Sequence, residues 1–138
     1  PYQVNLAISL HAPTDEIRKQ IMPISKVYPM EELIQALKEY ISLTNRRVTF
    51  EYILLNEIND STECAHLLSD LLRGMNCYVN LIPYNETSHI DLKRSTKKSI
   101  HNFYDTLKKR GINVTIRREY GGAISAACGQ LRSKKEER

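Results

Sequence analysis

Strand-like and helix-like stretches alternate along this chain, and each strand keeps one polar lane beside one apolar lane. Val4 to His11 reads as a strand, Thr14 to Met22 as a short capped segment, and Met30 to Ser42 as a helix with one apolar face of Leu33, Ile34, Leu37, Tyr40 and Ile41. Arg47 to Leu55 is a second strand. Asp60 followed by Glu63 predicts a capping box for the next helix, with Leu67, Leu68, Leu71 and Leu72 as its buried stripe and Gly74 at its end. Cys77 to Pro83, Ser95 to Arg110 and Asn113 to Arg117 complete the series as strand, helix and strand. This rhythm predicts an α/β fold with parallel strands and flanking helices.

The polar lanes narrow the architecture further. A parallel sheet covered by helices on both faces should read as nearly continuous apolar runs. Here Asn5, Ser9 and His11, then Thr49 and Glu51, then Asn80, then Asn113, Thr115 and Arg117 alternate with Leu6, Ile8 and Leu10 or with Val48, Phe50, Tyr52 and Leu54. Part of a barrel explains the pattern, with apolar side chains toward the helices and polar ones toward a ligand in the lumen. A flat sheet with one solvated face is the alternative. Four strands cannot close a barrel, which fills its interior at ~8 strands. The chain therefore reads as a section of a larger one, with residues 1–131 in the domain and 132–138 as a polar tail.

Composition removes several function classes. With 41% hydrophobic and 26% charged residues the chain is globular. No apolar run reaches the ~18 residues of a membrane helix. The first residues carry no secretory signature, and three cysteines, Cys64, Cys77 and Cys128, form no disulfide framework. A cytoplasmic location with reduced thiols follows as the expectation. Matches to the glycosylation pattern at Asn59, Asn85 and Asn113 are then coincidental. The net charge of +4 leans toward a polyanionic partner without identifying one.

Phosphate-loop, nucleophile-elbow and zinc signatures are absent from the sequence. Candidate residues therefore sit where a parallel barrel gathers them, at the carboxyl ends of its strands. Those ends read Ser9-Leu10-His11-Ala12-Pro13, Leu55-Asn56-Glu57, Leu81-Ile82-Pro83-Tyr84-Asn85 and Arg117-Arg118-Glu119. By pattern, His11 suits a ligand contact and a structural histidine equally. Cys128 lies among small residues after a strand ending in two arginines, which suits a reactive thiolate or an incidental packed thiol.

Four ordered blocks make the sequence more specific: Ala7-Ile8-Ser9-Leu10-His11-Ala12-Pro13-Thr14-Asp15, Arg47-Val48-Thr49-Phe50-Glu51-Tyr52, Val79-Asn80-Leu81-Ile82-Pro83-Tyr84-Asn85 and Ala126-Ala127-Cys128-Gly129-Gln130-Leu131. Together they resemble the radical S-adenosylmethionine (SAM) methyltransferases that modify adenine in 23S ribosomal RNA. The resemblance implies the C-terminal half of a partial (βα) barrel. It implies SAM binding by Ser9, Leu10, His11 and Asn85, and a methyl group carried by Cys128. Transfer RNA is a second substrate by the same resemblance, and an electron donor protein is an implied partner.

The implied chemistry joins a nucleophile to a radical. C2 of adenine is electron-poor and does not attack the methyl of SAM. In the family mechanism a cysteine thiolate takes a methyl from one SAM by displacement. A [4Fe-4S] cluster then cleaves a second SAM reductively, and the deoxyadenosyl radical activates the S-methyl group for addition to the ring. A second cysteine resolves the adduct. The cluster motif, resolving cysteine and accessory RNA-binding domain of the family are expected upstream of this chain, so none of its cysteines is expected to ligate metal and the fragment alone is expected to be inactive. Ala123-Ile124-Ser125 stands where the family has Asp-Ile-Asp, which removes two carboxylates next to Cys128. The sister enzymes that methylate C8, and an inactive RNA-binding remnant, are the alternative readings.

Overall fold

The computed structural model describes residues 6–22, 28–85 and 92–117. Four strands, β1 (Leu6–Ser9), β2 (Val48–Leu54), β3 (Cys77–Pro83) and β4 (Val114–Ile116), form one sheet in the order β1-β2-β3-β4. Every neighbouring pair is parallel, and the register aligns Ser9 with Glu51 and Glu51 with Asn80. Asn80 in turn aligns with Thr115. Between the strands run α1 (Asp15–Ile21) and α2 (Met30–Thr44), α3 (Thr62–Leu72), and α4 (Lys97–Lys109).

The helices form where the sequence supplies ends for them. Thr14, Ser61 and Thr96 each accept a hydrogen bond from a backbone N–H of the first turn, of Ile17, Cys64 and Ser99 respectively. The cap of α3 is thus Ser61 and not Asp60, because the Asp60 carboxylate is engaged elsewhere: its Oδ1 accepts from Glu57 N at 3.0 Å and its Oδ2 from Ser95 Oγ at 2.7 Å. The α3 stripe is also narrower than its leucines suggest. Leu68 and Leu72 are buried, but Leu67 points outward. Gly74 and Gly111, at φ 78° and 85°, turn the chain after α3 and α4 through the left-handed region open to glycine.

The main core lies on one face of the sheet. Val48, Phe50, Tyr52 and Leu54 of β2 and Val79 and Leu81 of β3 pack with Ile34 and Leu37 of α2, Leu68 of α3 and Phe103 of α4. The Tyr52 and Phe103 rings tilt together with centroids 5.1 Å apart. Burying each such side chain contributes about 1.5–3 kcal/mol before chain entropy is counted. These helices cover a single face, which leaves the other lane free to line a site.

That second lane differs from a uniformly polar one. Ser9, Thr49, Glu51 and Asn80 are half-buried and Thr115 is exposed, so its lower rows are polar. Toward the carboxyl ends it turns apolar: Ile53, Leu55, Ile82 and Tyr84 form a second core with Ala12, Ile21 and Leu92. Ala12 after β1, Ile21 of α1, and Tyr84 and Leu92 after β3 pack over the top of the sheet and bury these side chains. The strand ends are consequently a packed platform.

Candidate functional site

His11 stands just past β1 at the edge of this platform. Its backbone is left-handed, with φ 59°, a conformation that costs an ordinary side chain about 1 kcal/mol or more. Its ring is buried, and Nδ1 accepts a hydrogen bond from the backbone N–H of Ile53 at 3.0 Å. Burial, with Arg18 adding a smaller repulsion, pulls its pKa down to about 3. The imidazole is therefore neutral, with its proton on Nε2.

Two buried residues hold this arrangement, and neither stood out in the sequence. Asn59 is fully buried, and its Nδ2 donates to the carbonyls of His11 and Ile53 at 2.8 and 2.7 Å. Its Oδ1 accepts from Leu55 N at 2.8 Å, and its own carbonyl accepts from Tyr52 Oη at 2.7 Å. One side chain thus joins the ends of β1 and β2. Arg18 ties α1 to the end of β1: Nη2 donates to the Ser9 carbonyl and Nε to the Leu10 carbonyl, both at 3.0 Å. Burial lowers its pKa and Asp15 partly offsets the shift. Asp15 Oδ1 in turn accepts from Met30 N at 2.7 Å and so starts α2, whose Pro29 cap offers no side-chain bond.

The three residues of the Ser9–His11 segment consequently face different ways. Ser9 and His11 share the second lane with Glu51 and Ile53, whereas the Leu10 side chain is fully buried in the main core. Leu10 meets a ligand on the lane only through its backbone, and that backbone is occupied: its N–H donates to the Glu51 carbonyl at 2.9 Å. Below His11 the lane carries charge. Arg117 Nη2 donates to Glu51 Oε2 at 2.9 Å, spanning β3, and Thr115 Oγ1 donates to Asn80 Oδ1 at 2.9 Å.

Asn85 lies two residues past the end of β3, half-buried beside the buried Tyr84. The structure thus brings Ser9, His11 and Asn85 to one end of the sheet. Cys128, the tail and the Ala123 and Ser125 substitutions lie outside the described residues. Cys64 and Cys77 are buried, and desolvation pushes the Cys77 thiol up to about 11, which suits packing and not nucleophilic chemistry. Among the described residues no group of three or more His, Cys, Asp or Glu side chains could hold a metal ion. None of their helices is long and apolar enough to cross a membrane.

Comparison with known proteins gives this geometry a setting. No family model matches the chain. It is 59% identical over 134 residues to a probable dual-specificity RNA methyltransferase RlmN of Spiroplasma citri, covering 97% of this chain and 38% of that protein. It is 58% identical over 135 residues to the similarly named protein of Enterococcus faecalis, again covering 38% of the relative. The chain thus spans well under half the length of the relatives it matches. Among solved structures, a radical SAM methyltransferase from Sphaerobacter thermophilus superposes with a TM-score of 0.86 at 49% identity, over 96% of this chain and 39% of that one. A domain of a pyruvate-formate lyase-activating enzyme from Bacteroides vulgatus shares the fold alone, with a TM-score of 0.64 at 16% identity.

Proposed function

Because the chain belongs to the radical SAM RNA methyltransferase family, we propose that the protein containing it methylates C2 of an adenine in 23S ribosomal RNA, and an adenine of transfer RNA, through a methyl-cysteine intermediate. The observation that carries this reading is the 59% identity to a probable dual-specificity RNA methyltransferase, in a chain that brings Ser9, His11 and Asn85 to one end of its sheet. The "dual-specificity" in that relative's name agrees with two RNA substrates. The protein works in the cytoplasm with an electron donor protein as partner.

The site fits SAM on chemical grounds. SAM carries a sulfonium cation beside hydroxyl and ring-nitrogen acceptors. A histidine whose pKa lies near 3 stays neutral and offers Nε2–H without repelling that cation. The Ser9 hydroxyl offers a second polar group on the same lane, and Asn85 supplies an amide from the end of β3. Leu10 acts through its backbone, which keeps Ser9 and His11 in line. Bound SAM and the [4Fe-4S] cluster, held by cysteines outside this chain, supply the methyl group and the radical chemistry that an electron-poor ring carbon requires.

Cys128 is the chain's nucleophile in this reading. Its thiolate attacks the methyl carbon of SAM, the carbon–sulfonium bond breaks, and a thioether remains on the protein with S-adenosylhomocysteine as leaving group. The motif Ala126-Ala127-Cys128-Gly129-Gln130 supports the assignment, since it matches the block that carries the family resemblance.

Mass spectrometry of the full-length protein purified from cells tests the reading directly. Methylated Cys128, together with 2-methyladenosine in RNA that disappears in Cys128→Ala, is the expected result. Full RNA methylation by Cys128→Ala overturns it, 8-methyladenosine assigns the protein to the sister reaction, and unmodified RNA marks an inactive remnant.

A further inference from the structure

Residues 92–96, just before α4, lie against the strand ends as a strap. Leu92 is buried in the second core with Ala12, Leu55 and Tyr84. The Lys93 carbonyl accepts from Asn56 N at 2.8 Å, and Arg94 bridges Leu55 in antiparallel fashion. Ser95, also buried, donates through Oγ to Asp60 Oδ2 at 2.7 Å, and Thr96 caps α4. The backbone is thus tied down at consecutive points against the turn that follows β2.

The side chains it presents outward are cationic. Lys93, Arg94, Lys97 and Lys98 are all exposed, and the first turn of α4 contains no acid. Among the described residues Lys93, Lys97 and Lys98 enter no ion pair, although Arg73 and Arg110 share Asp70 and Arg117 takes Glu51. Like charges held close together repel, and among the described residues these three have no ion-pair partner. On the outer surface, by contrast, α2 begins with Glu31 and Glu32. Charge is segregated, with the basic cluster at the rim that holds His11 and Asn85.

We propose that the Lys93–Lys98 strap is a phosphate-docking edge for the RNA substrate, contacting the backbone next to the base that enters the strand ends. This rests on the RNA methyltransferase reading above. A row of ammonium groups on a backbone tied down beside the strand ends suits a polyanion whose reactive base must be held at a fixed point, because phosphate contacts set orientation without reading sequence. Lysines supply point charges for such contacts at little cost in specificity.

The test uses the full-length protein and the triple variant Lys93→Ala, Lys97→Ala, Lys98→Ala, with bulk transfer RNA as the probe. These side chains are exposed, so the variant should fold and bind SAM as the parent does. RNA affinity should fall about tenfold or more at low salt, and the slope of log affinity against log salt should shrink by about two units, since each lost phosphate contact removes roughly 0.7–0.9. An unchanged affinity and slope in the variant overturns the proposal while leaving the methyltransferase reading intact. A parent protein that binds SAM but no RNA overturns both, as does a strap that binds anionic lipid vesicles in preference to RNA.

Discussion

Asn59 Nδ2 donates to the His11 carbonyl at 2.8 Å across 48 positions of sequence, so the turn after β2 holds the end of β1 in its left-handed shape. The same amide group also satisfies the Ile53 carbonyl, while Oδ1 satisfies Leu55 N. A buried side chain with this many backbone partners is difficult to replace, because each partner is left without water or protein when it goes.

Asn59→Ala should therefore destabilise the protein by about 2–4 kcal/mol, the cost of leaving several buried backbone groups unpaired. Asn59→Asp should cost at least as much. It keeps an acceptor for Leu55 N but turns a carboxylate oxygen toward two carbonyls. Urea denaturation of the full-length variants measures both, and a loss under 1 kcal/mol for Asn59→Ala would show that the junction contributes little.

The pH dependence follows from His11. Its pKa is about 3 when folded against 6.5 for the free side chain, so below pH 6.5 the unfolded chain binds a proton that the native chain does not. Stability supplied by the neutral ring is complete above pH 6.5 and is lost progressively as pH falls toward 3, at up to ~1.4 kcal/mol per unit. Melting temperature measured from pH 7.5 to 4.5 should drop more steeply for the parent than for His11→Gln. Parallel profiles would place the titration elsewhere.

The thiols should separate in reactivity. Cys64 and Cys77 are buried, and Cys77 ionises only near 11, so iodoacetamide at pH 8 should leave both unlabelled in the native protein. Cys128, flanked by small residues in the sequence, should label first, and urea should expose all three. Peptide mapping by mass spectrometry reads the order; early labelling of Cys77 would contradict the burial argument.

The Glu51–Arg117 pair should matter little to stability. Both side chains are about one-third exposed, at 28% and 35%, which limits the coupling between them to ~1 kcal/mol or less. A double-mutant cycle with Glu51→Gln and Arg117→Met in urea measures that coupling. A value above 2 kcal/mol would mean that the pair is far less hydrated than its exposure indicates.

Much of the sheet was legible because its information is local. Alternation in Val48–Leu54 and Cys77–Pro83 set the strands, and β3 has the boundaries that pattern predicted. Helix ends were less certain where an acid had two uses: Asp60 reads as a cap in sequence but is bound to Ser95 and Glu57 N in space. That Ser9, His11 and Asn85 reach one rim could be read because parallel strands deliver their carboxyl ends there. Arg18 and Asn59 could not. Arg18 looks like a solvated helix residue, and Asn59 sits in a chance glycosylation match, until folding buries both against carbonyls from other segments. Nothing at neighbouring positions signals those partners. The apolar upper rows of the lane were hidden for the same reason, since what buries Ile53 and Ile82 is chain from other parts of the molecule.

The junction around Asn59 also bears on how the site comes into being. Its bonds close loops of 48 residues to the His11 carbonyl, 42 from Ile53 N to His11 Nδ1, and 35 from Ser95 to Asp60. Contacts of such high contact order form only after the entropy of several long loops has been lost, and so late in folding. A nascent chain that ends within β2 would still lack the Asn59 junction that shapes the end of β1. The geometry at His11 therefore arrives with long-range closure, which ties the proposed site to the integrity of the sheet.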